Sequence, residues 1–120
     1  MVPIRVNVAL RAMKKGRKEL EADFLVKRGA MNTMAPADQL KRAGIRPCGR
    51  MSYELAGSTM VEYDFGLVEI EFMGEITAGR VIFGPAGCES LLGVTALESV
   101  GITIDPANRR LKRLPAIPLK

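Results

Sequence analysis

Two adjacent cations, Lys27 and Arg28, occupy the position in this chain where chemistry is easiest to imagine. They stand between an apolar strand and a glycine turn, in the run Phe24-Leu25-Val26-Lys27-Arg28-Gly29-Ala30. A neutral lysine can act as a general base. An arginine stays charged, and its charge needs a partner wherever it is buried. This loop is therefore the first place to look for a functional site.

The residue types of the chain limit what other chemistry is available. Its 120 residues include no histidine, and the two cysteines, Cys48 and Cys88, lack CxxC spacing. Histidine-based triads and most zinc sites are thereby excluded. Carboxylates, lysines and hydroxyls remain, and we expect no metal, no cofactor and two free thiols.

Neither a lysine-based hydrolase nor an aspartate-based one is evident in the sequence. Thr33 follows the loop by a few residues, but no recognisable motif places a serine or threonine against Lys27. No aspartate precedes Thr-Gly or Ser-Gly. The aspartates therefore fit surface and turn positions: Asp23, Asp38, Asp64 and Asp105.

Composition predicts one domain, residues 1–120, of an ordinary soluble type. Apolar residues make up 48% and charged residues 26%, as in typical globular proteins. No apolar run approaches the roughly 20 residues of a membrane helix. The N-terminus lacks a signal-peptide pattern, so we expect a cytoplasmic protein without membrane contact.

The net charge of +5 leaves nucleic acid as an alternative partner. The excess charge is concentrated in two clusters, and such clusters are most often solvated turns and tails. With no Trp, two Tyr and four Phe, base-stacking platforms are scarce. The clusters are Arg11, Lys14, Lys15, Arg17 and Lys18, and Arg109, Arg110, Lys112 and Arg113.

The elements that position the loop are predicted from periodicity and turn residues. Alternation with period two predicts half-buried strands, and Gly44 and Gly101 suit helix termination. A change of apolar phase near Gly66 indicates a bulge or a bend, and residues 14–17 suit a hairpin turn. The predicted strands are 4–10, 20–26, 51–72 folded over at 56–59, one ending at 81–83, 102–104 and 111–114, and the predicted helices are 36–43 and 94–100. The sum is a mostly-β barrel or sandwich.

With these elements the chain resembles the retropepsin-like aspartic proteases, from about Ile4 to Leu114. Members of that family carry Val-Asp-Thr-Gly-Ala in the loop, where Gly29 and Ala30 match but Lys27 replaces the aspartate and Arg28 the threonine. The more specific similarity is Phe83-Gly84-Pro85 followed by Leu91-Leu92-Gly93 and a helix.

The resemblance implies a closed β-barrel with a flap hairpin, one or two short helices and half of an active site. A homodimer is implied, whose subunits interleave terminal segments such as 2–5 and 111–119. Gly29 and Ala30 would floor the peptide groove. The flap would consist of Leu55, Ala56, Gly57, Ser58 and Thr59.

The altered loop predicts that the chain is inactive as written. Two carboxylates share one proton in an aspartic protease, whereas two lysines at one axis repel each other. Asp23 or Glu98 are possible partners for the loop cations. Three functions stay open: a peptide-binding protein without hydrolysis, an inactivated form of a homodimeric protease, and a basic β module that binds nucleic acid.

Overall fold

The computed structural model describes residues 3–13, 18–117 and 119, which form nine strands and two helices. The strands are β1 (Ile4–Ala12), β2 (Leu20–Val26), β3 (Thr33–Pro36), β4 (Gly49–Glu54), β5 (Met60–Phe72), β6 (Glu75–Gly84), β7 (Leu91–Leu92), β8 (Ile102–Asp105) and β9 (Arg110–Arg113). The helices are α1 (Ala37–Arg42) and α2 (Val94–Ser99). The expected mostly-β class with two short helices is confirmed. The expected turn at residues 14–17 and the terminal residues Met1, Val2, Pro118 and Lys120 lie outside the described residues.

Seven strands form one sheet in the order β1-β2-β7-β3-β6-β5-β4. The second half of β1 also pairs with the second half of β5, from Val8 opposite Phe72 to Ala12 opposite Val68. The path of pairings that leaves β1 through β2, β7, β3, β6 and β5 therefore returns to β1. The strand β4 lies along the first half of the same β5 edge. The strands β8 and β9 form a separate hairpin.

The core is built by alternation along these strands. Every second residue of β1, of β2 and of the second half of β5 is apolar and faces the core, while the residues between them are more exposed. Leu40 of α1 and Leu97 of α2 close over that buried face. A fully buried side chain of this size contributes about 1.5–3 kcal/mol. The core residues that the seven-stranded sheet contributes are Val8, Leu10, Phe24, Val26, Ala35, Val68, Ile70, Phe72, Val81, Phe83 and Leu92, and β8 adds Ile102.

Of the bulge or bend expected near Gly66, the strand pairing shows no bulge, and close packing explains the glycine. The register between β5 and β6 continues without an inserted residue where Gly66 pairs with Val81. A Cβ at Gly66 would lie 2.8 Å from the carbonyl oxygen of Arg46 and 3.1 Å from the ring of Phe83. The apolar phase changes here because the first half of β5 belongs to the β4–β5 hairpin, whereas the second half lines the core.

Both helices end as predicted, but two short strands were missed. Gly44 and Gly101 follow the helices with φ of 79° and 74°, the left-handed region that favours glycine. The four-residue β3 and the two-residue β7 are too short to show an alternation. Neither of the described helices is long and apolar enough to cross a membrane.

Candidate functional site

The loop at residues 27–30 directly follows β2, and its first three residues are exposed to solvent. Lys27, Arg28 and Gly29 are exposed, and Ala30 is half-buried. The backbone N–H of Ala30 donates to the carbonyl of Lys27 at 3.0 Å and closes the turn. The loop therefore has a defined backbone, with both cations on its outside.

The start of α2 holds this loop from behind. The N–H of Val94 donates to the carbonyl of Ala30 at 2.9 Å. One residue earlier, the N–H of Gly93 donates to Oγ1 of Thr33 at 3.1 Å. Thr33 is only 2% exposed, so its hydroxyl has no water to replace this partner. The two hydrogen bonds tie two distant parts of the sequence into one unit.

Gly93 is the closest point of contact in that unit. A Cβ at this position would lie 2.5 Å from the carbonyl oxygen of Met31 and 2.5 Å from the carbonyl carbon of Asn32. Side-chain carbons essentially never approach backbone atoms so closely, so any larger residue would push the loop away from α2. At Gly29, by contrast, a Cβ would have nothing within 4 Å.

The loop cations have no acidic partner among the described residues. No carboxylate lies within 4.0 Å of the charged nitrogens of Lys27 or Arg28. The pairing considered with Asp23 or Glu98 is therefore not formed. Glu98 does line a cavity of about 250 Å³ together with Arg28.

A row of apolar side chains runs across the outer face of the sheet beside the loop. Directly paired positions of neighbouring strands point to the same face. The pairing runs from β2 through β7, β3 and β6 to β5 without a gap. Ile82 is 8% exposed and the other four members are half-buried. The outer row consists of Leu25, Leu91, Met34, Ile82 and Phe65.

The outer row continues onto the β4–β5 hairpin. The ring of Phe65 lies over Gly49, where a Cβ would be 2.5 Å from the ring, and the guanidinium of Arg80 sits 4.2 Å above its centroid. The rings of Tyr53 and Tyr63 follow, with centroids 6.2 Å apart. An aromatic surface thus extends from the sheet toward the hairpin tip.

The hairpin tip is located where the sequence placed it. The N–H of Leu55 donates to the carbonyl of Thr59 at 2.7 Å, and the N–H of Ser58 donates to Leu55 at 3.1 Å. Gly57 and Ser58 have φ of 87° and 67°, and residues 55–59, including Ala56, are all exposed. The predicted position of the hairpin tip is therefore confirmed.

The basic clusters are partly engaged by the protein itself. Arg11 donates to Glu19 at 3.0 Å, to Glu69 at 3.1 Å and to Glu71. The hydrogen bond to Glu71, followed by the one to Glu69, raises the pKa of the Arg11 guanidinium. Arg113 pairs with Glu75. These contacts take cations away from any nucleic acid surface, and no described contact favours one.

The described residues contain no group of three or more His, Cys, Asp or Glu placed to hold a metal ion. Both thiols are free, Cys48 exposed and Cys88 half-buried, and burial raises the pKa of the Cys88 thiol.

The sequence named the loop and the hairpin tip but missed the outer row. Leu25 and Leu91 both belong to motifs quoted from the sequence, yet nothing in a single sequence indicates that they pair side by side. Comparison of the chain with family models and with curated proteins gives no match.

Proposed function

We propose that this chain is a retropepsin-like protein that binds extended peptides and does not hydrolyse them. The outer row carries this proposal, because it gives the exposed loop at residues 27–30 an adjoining apolar track five strands wide. Ligand clefts are lined mainly by apolar and aromatic side chains with a few polar groups. An extended peptide is held by backbone pairing and by pockets for alternate side chains.

The backbone supports the finer fold assignment within the same proposal. The path of strand pairings that returns to β1 supports a closed barrel, and the β4–β5 hairpin is suited to act as the flap. The loop after β2 and the glycine at the start of α2 occur in the order that the family resemblance implies. Gly29 and Ala30 would then floor the groove, and residues 55–59 would cover it.

Hydrolysis is not part of the proposal because Lys27 and Arg28 stand where an aspartic protease needs a carboxyl group. Ammonium and guanidinium groups are donors only, whereas the aspartic dyad needs one ionised and one protonated carboxyl group. With Lys27 and Arg28 at these positions, one end of the groove is positively charged and the aspartate that would act as the base is missing.

The proposed oligomer is a homodimer in which each copy contributes one loop. Two such loops would bring four cations together, and like charges at short range oppose association. We expect the dimer to be weak in this chain and stronger when Lys27 and Arg28 are replaced by Asp and Thr. Sedimentation equilibrium of both proteins tests this expectation.

A labelled library of extended peptides, titrated into the purified chain, tests peptide binding. The critical variant is Leu91→Asn, in the middle of the outer row. Its matched control is Ile76→Asn, because Ile76 is 58% exposed on β6 but outside the row. Weaker binding by the first variant alone supports the proposal. Equal binding by both variants, or no binding by the folded parent chain, refutes it.

A second candidate function is that the chain is an inactivated form of a homodimeric aspartic protease. The observation that favours it is the well-held loop backbone, with Ala30 bonded to Val94 and Thr33 to Gly93. Lys27→Asp with Arg28→Thr should then produce cleavage between acidic and neutral pH. A folded, dimeric double variant that cuts no peptide in the library would contradict this candidate.

A further inference from the structure

A cavity of about 410 Å³ lies beside Arg28 of the loop, on the side away from the outer row. Its volume falls within the range of about 300–1,000 Å³ that small-molecule sites occupy. Five of its described lining residues are apolar, and the other two are arginines. The lining residues are Pro3, Ile4, Val26, Ile104, Pro106, Arg28 and Arg109.

Half of the ten arginines in the described residues, Arg28 and Arg109 among them, form no ion pair with a carboxylate. Five others form ion pairs with Glu or Asp, and Arg80 stacks on Phe65. The paired arginines are Arg5, Arg11, Arg42, Arg50 and Arg113. Two guanidiniums without partners therefore line one apolar cavity, with Lys27 next to one of them in sequence.

Asp105 is the acidic residue adjacent in sequence to the cavity lining, and its carboxylate already accepts hydrogen bonds within its own turn. Asp105, between the lining residues Ile104 and Pro106, accepts hydrogen bonds from the N–H of Ala107 and from both the side chain and the N–H of Asn108. The side-chain bond from Asn108, above all, holds the pKa of the Asp105 carboxyl below its usual value. This carboxylate serves the β8–β9 turn and is not directed to the arginines.

From this arrangement we infer that the cavity binds a carboxylate carried on an aliphatic body. A guanidinium forms paired hydrogen bonds with a carboxylate, and the apolar walls take the hydrocarbon from water. A phosphate dianion fits less well, because a doubly charged group loses more hydration beside apolar walls. The proposed homodimer, which joins the loops of two copies, would bring two more arginines to this cavity. Like-charge repulsion opposes that arrangement, so the inference is made for the monomer.

The inference concerns a cavity separate from the outer row and does not depend on peptide binding there. The same chemistry has two sources, a fatty acid or the carboxyl end of a peptide with an aliphatic last residue. Octanoate represents the first source, with octanol as its uncharged control. Acetyl-leucyl-leucine represents the second, with its carboxamide as control.

Calorimetric titration of the chain with these four compounds tests the inference. We expect at least one carboxylate to bind, and its uncharged control to bind at least about tenfold more weakly, the loss typical of a charge-assisted hydrogen bond. The tighter of the two carboxylates identifies the source. Equal binding by a carboxylate and its control, or no binding by either carboxylate, overturns the inference.

Three variants locate the binding. Arg28→Gln and Arg109→Asn should each weaken carboxylate binding by about tenfold. Asn is chosen for Arg109 because that residue has φ of 53°, a conformation that Asn tolerates. Arg46→Gln is the control, since Arg46 is also exposed and unpaired among the described residues but lines none of the cavities found around Arg28.

The variants also separate this site from the alternatives. Equal losses in all three variants would mean attraction to the net charge alone and would overturn the assignment. A dimer in sedimentation that Arg28→Gln strengthens, without any carboxylate binding, would show that a second copy covers the cavity. Circular dichroism of each variant checks that the fold is retained.

Discussion

The two ends of the β1–β2 hairpin carry arginines in opposite situations. Arg11, near the end of β1, is held by three carboxylates: Glu19 just before β2, and Glu69 and Glu71 on β5. Arg28, just beyond the end of β2, is exposed and has no acidic partner in the described chain. The backbone at that second end is nevertheless closely packed against α2. At one end the side chains form an ion-pair network; at the other a hydrogen-bonded backbone presents cations without acidic partners.

This difference separates structural charge from charge available for a ligand. Two of the three acceptors of Arg11 come from positions that the β1–β5 register places beside it: Glu69 directly opposite on β5, and Glu71 two residues further along. Nothing in the register supplies an acid beside Lys27 or Arg28. Cations left unpaired on a well-held loop are the reason for proposing anionic ligands at that end of the molecule.

The largest loss of stability should come from disturbing the close backbone packing between α2 and the loop at residues 27–30. Gly93→Ala places a Cβ 2.5 Å from backbone atoms of residues 31 and 32 and should destabilise the protein by about 2–4 kcal/mol through overpacking. Urea unfolding measures the change. Gly29→Ala is the control, because nothing lies within 4 Å of its Cβ. Equal stability of the two variants would show that α2 does not hold the loop.

A smaller effect should follow from removing the buried hydroxyl of the same end. Thr33→Val keeps the shape but leaves the N–H of Gly93 without its acceptor, at a cost of about 1–3 kcal/mol. Thr95→Val, at an exposed position on α2, should change the stability little. If Thr33→Val unfolds at the same urea concentration as the parent chain, the hydrogen bond contributes nothing to the loop.

At the opposite end of the hairpin, removing the charge of Arg11 should cost less stability. Arg11→Met leaves the carboxylates of Glu69 and Glu71 without a counter-charge, and we expect destabilisation of about 1 kcal/mol, as for a partly exposed ion-pair network. The difference from the parent should shrink in 1 M salt, where the Debye length is about 3 Å. A loss that salt leaves unchanged would indicate that Arg11 acts through packing instead.

The smallest effect belongs to the loop cations themselves. Arg28→Met should leave the free energy of unfolding within about 0.5 kcal/mol of the parent, as for an exposed residue without partners. Thermal and urea unfolding both measure it. A destabilisation as large as that of Arg11→Met would remove the contrast between the two ends and show that Arg28 has a structural role.

Much of the fold could be predicted from the sequence because those elements depend on local residue patterns. The alternation in β1 and β2, the glycines that end both helices, and the hairpin tip at residues 55–59 each depend on neighbouring residues alone. The strand β2 begins and ends where its alternation does. The short strands β3 and β7 escaped prediction because they exist only through pairing with distant partners.

The candidate site divides in the same way. Sequence alone determined that Lys27 and Arg28 precede a glycine turn, and that the chain contains no histidine to take over their chemistry. Only the tertiary structure decided that Leu25, Leu91 and Phe65 share a row, because strand order and register are set by long-range pairing. It likewise decided that Arg28 meets Arg109 at one apolar cavity and finds no acid there, since 81 positions of chain separate the two residues.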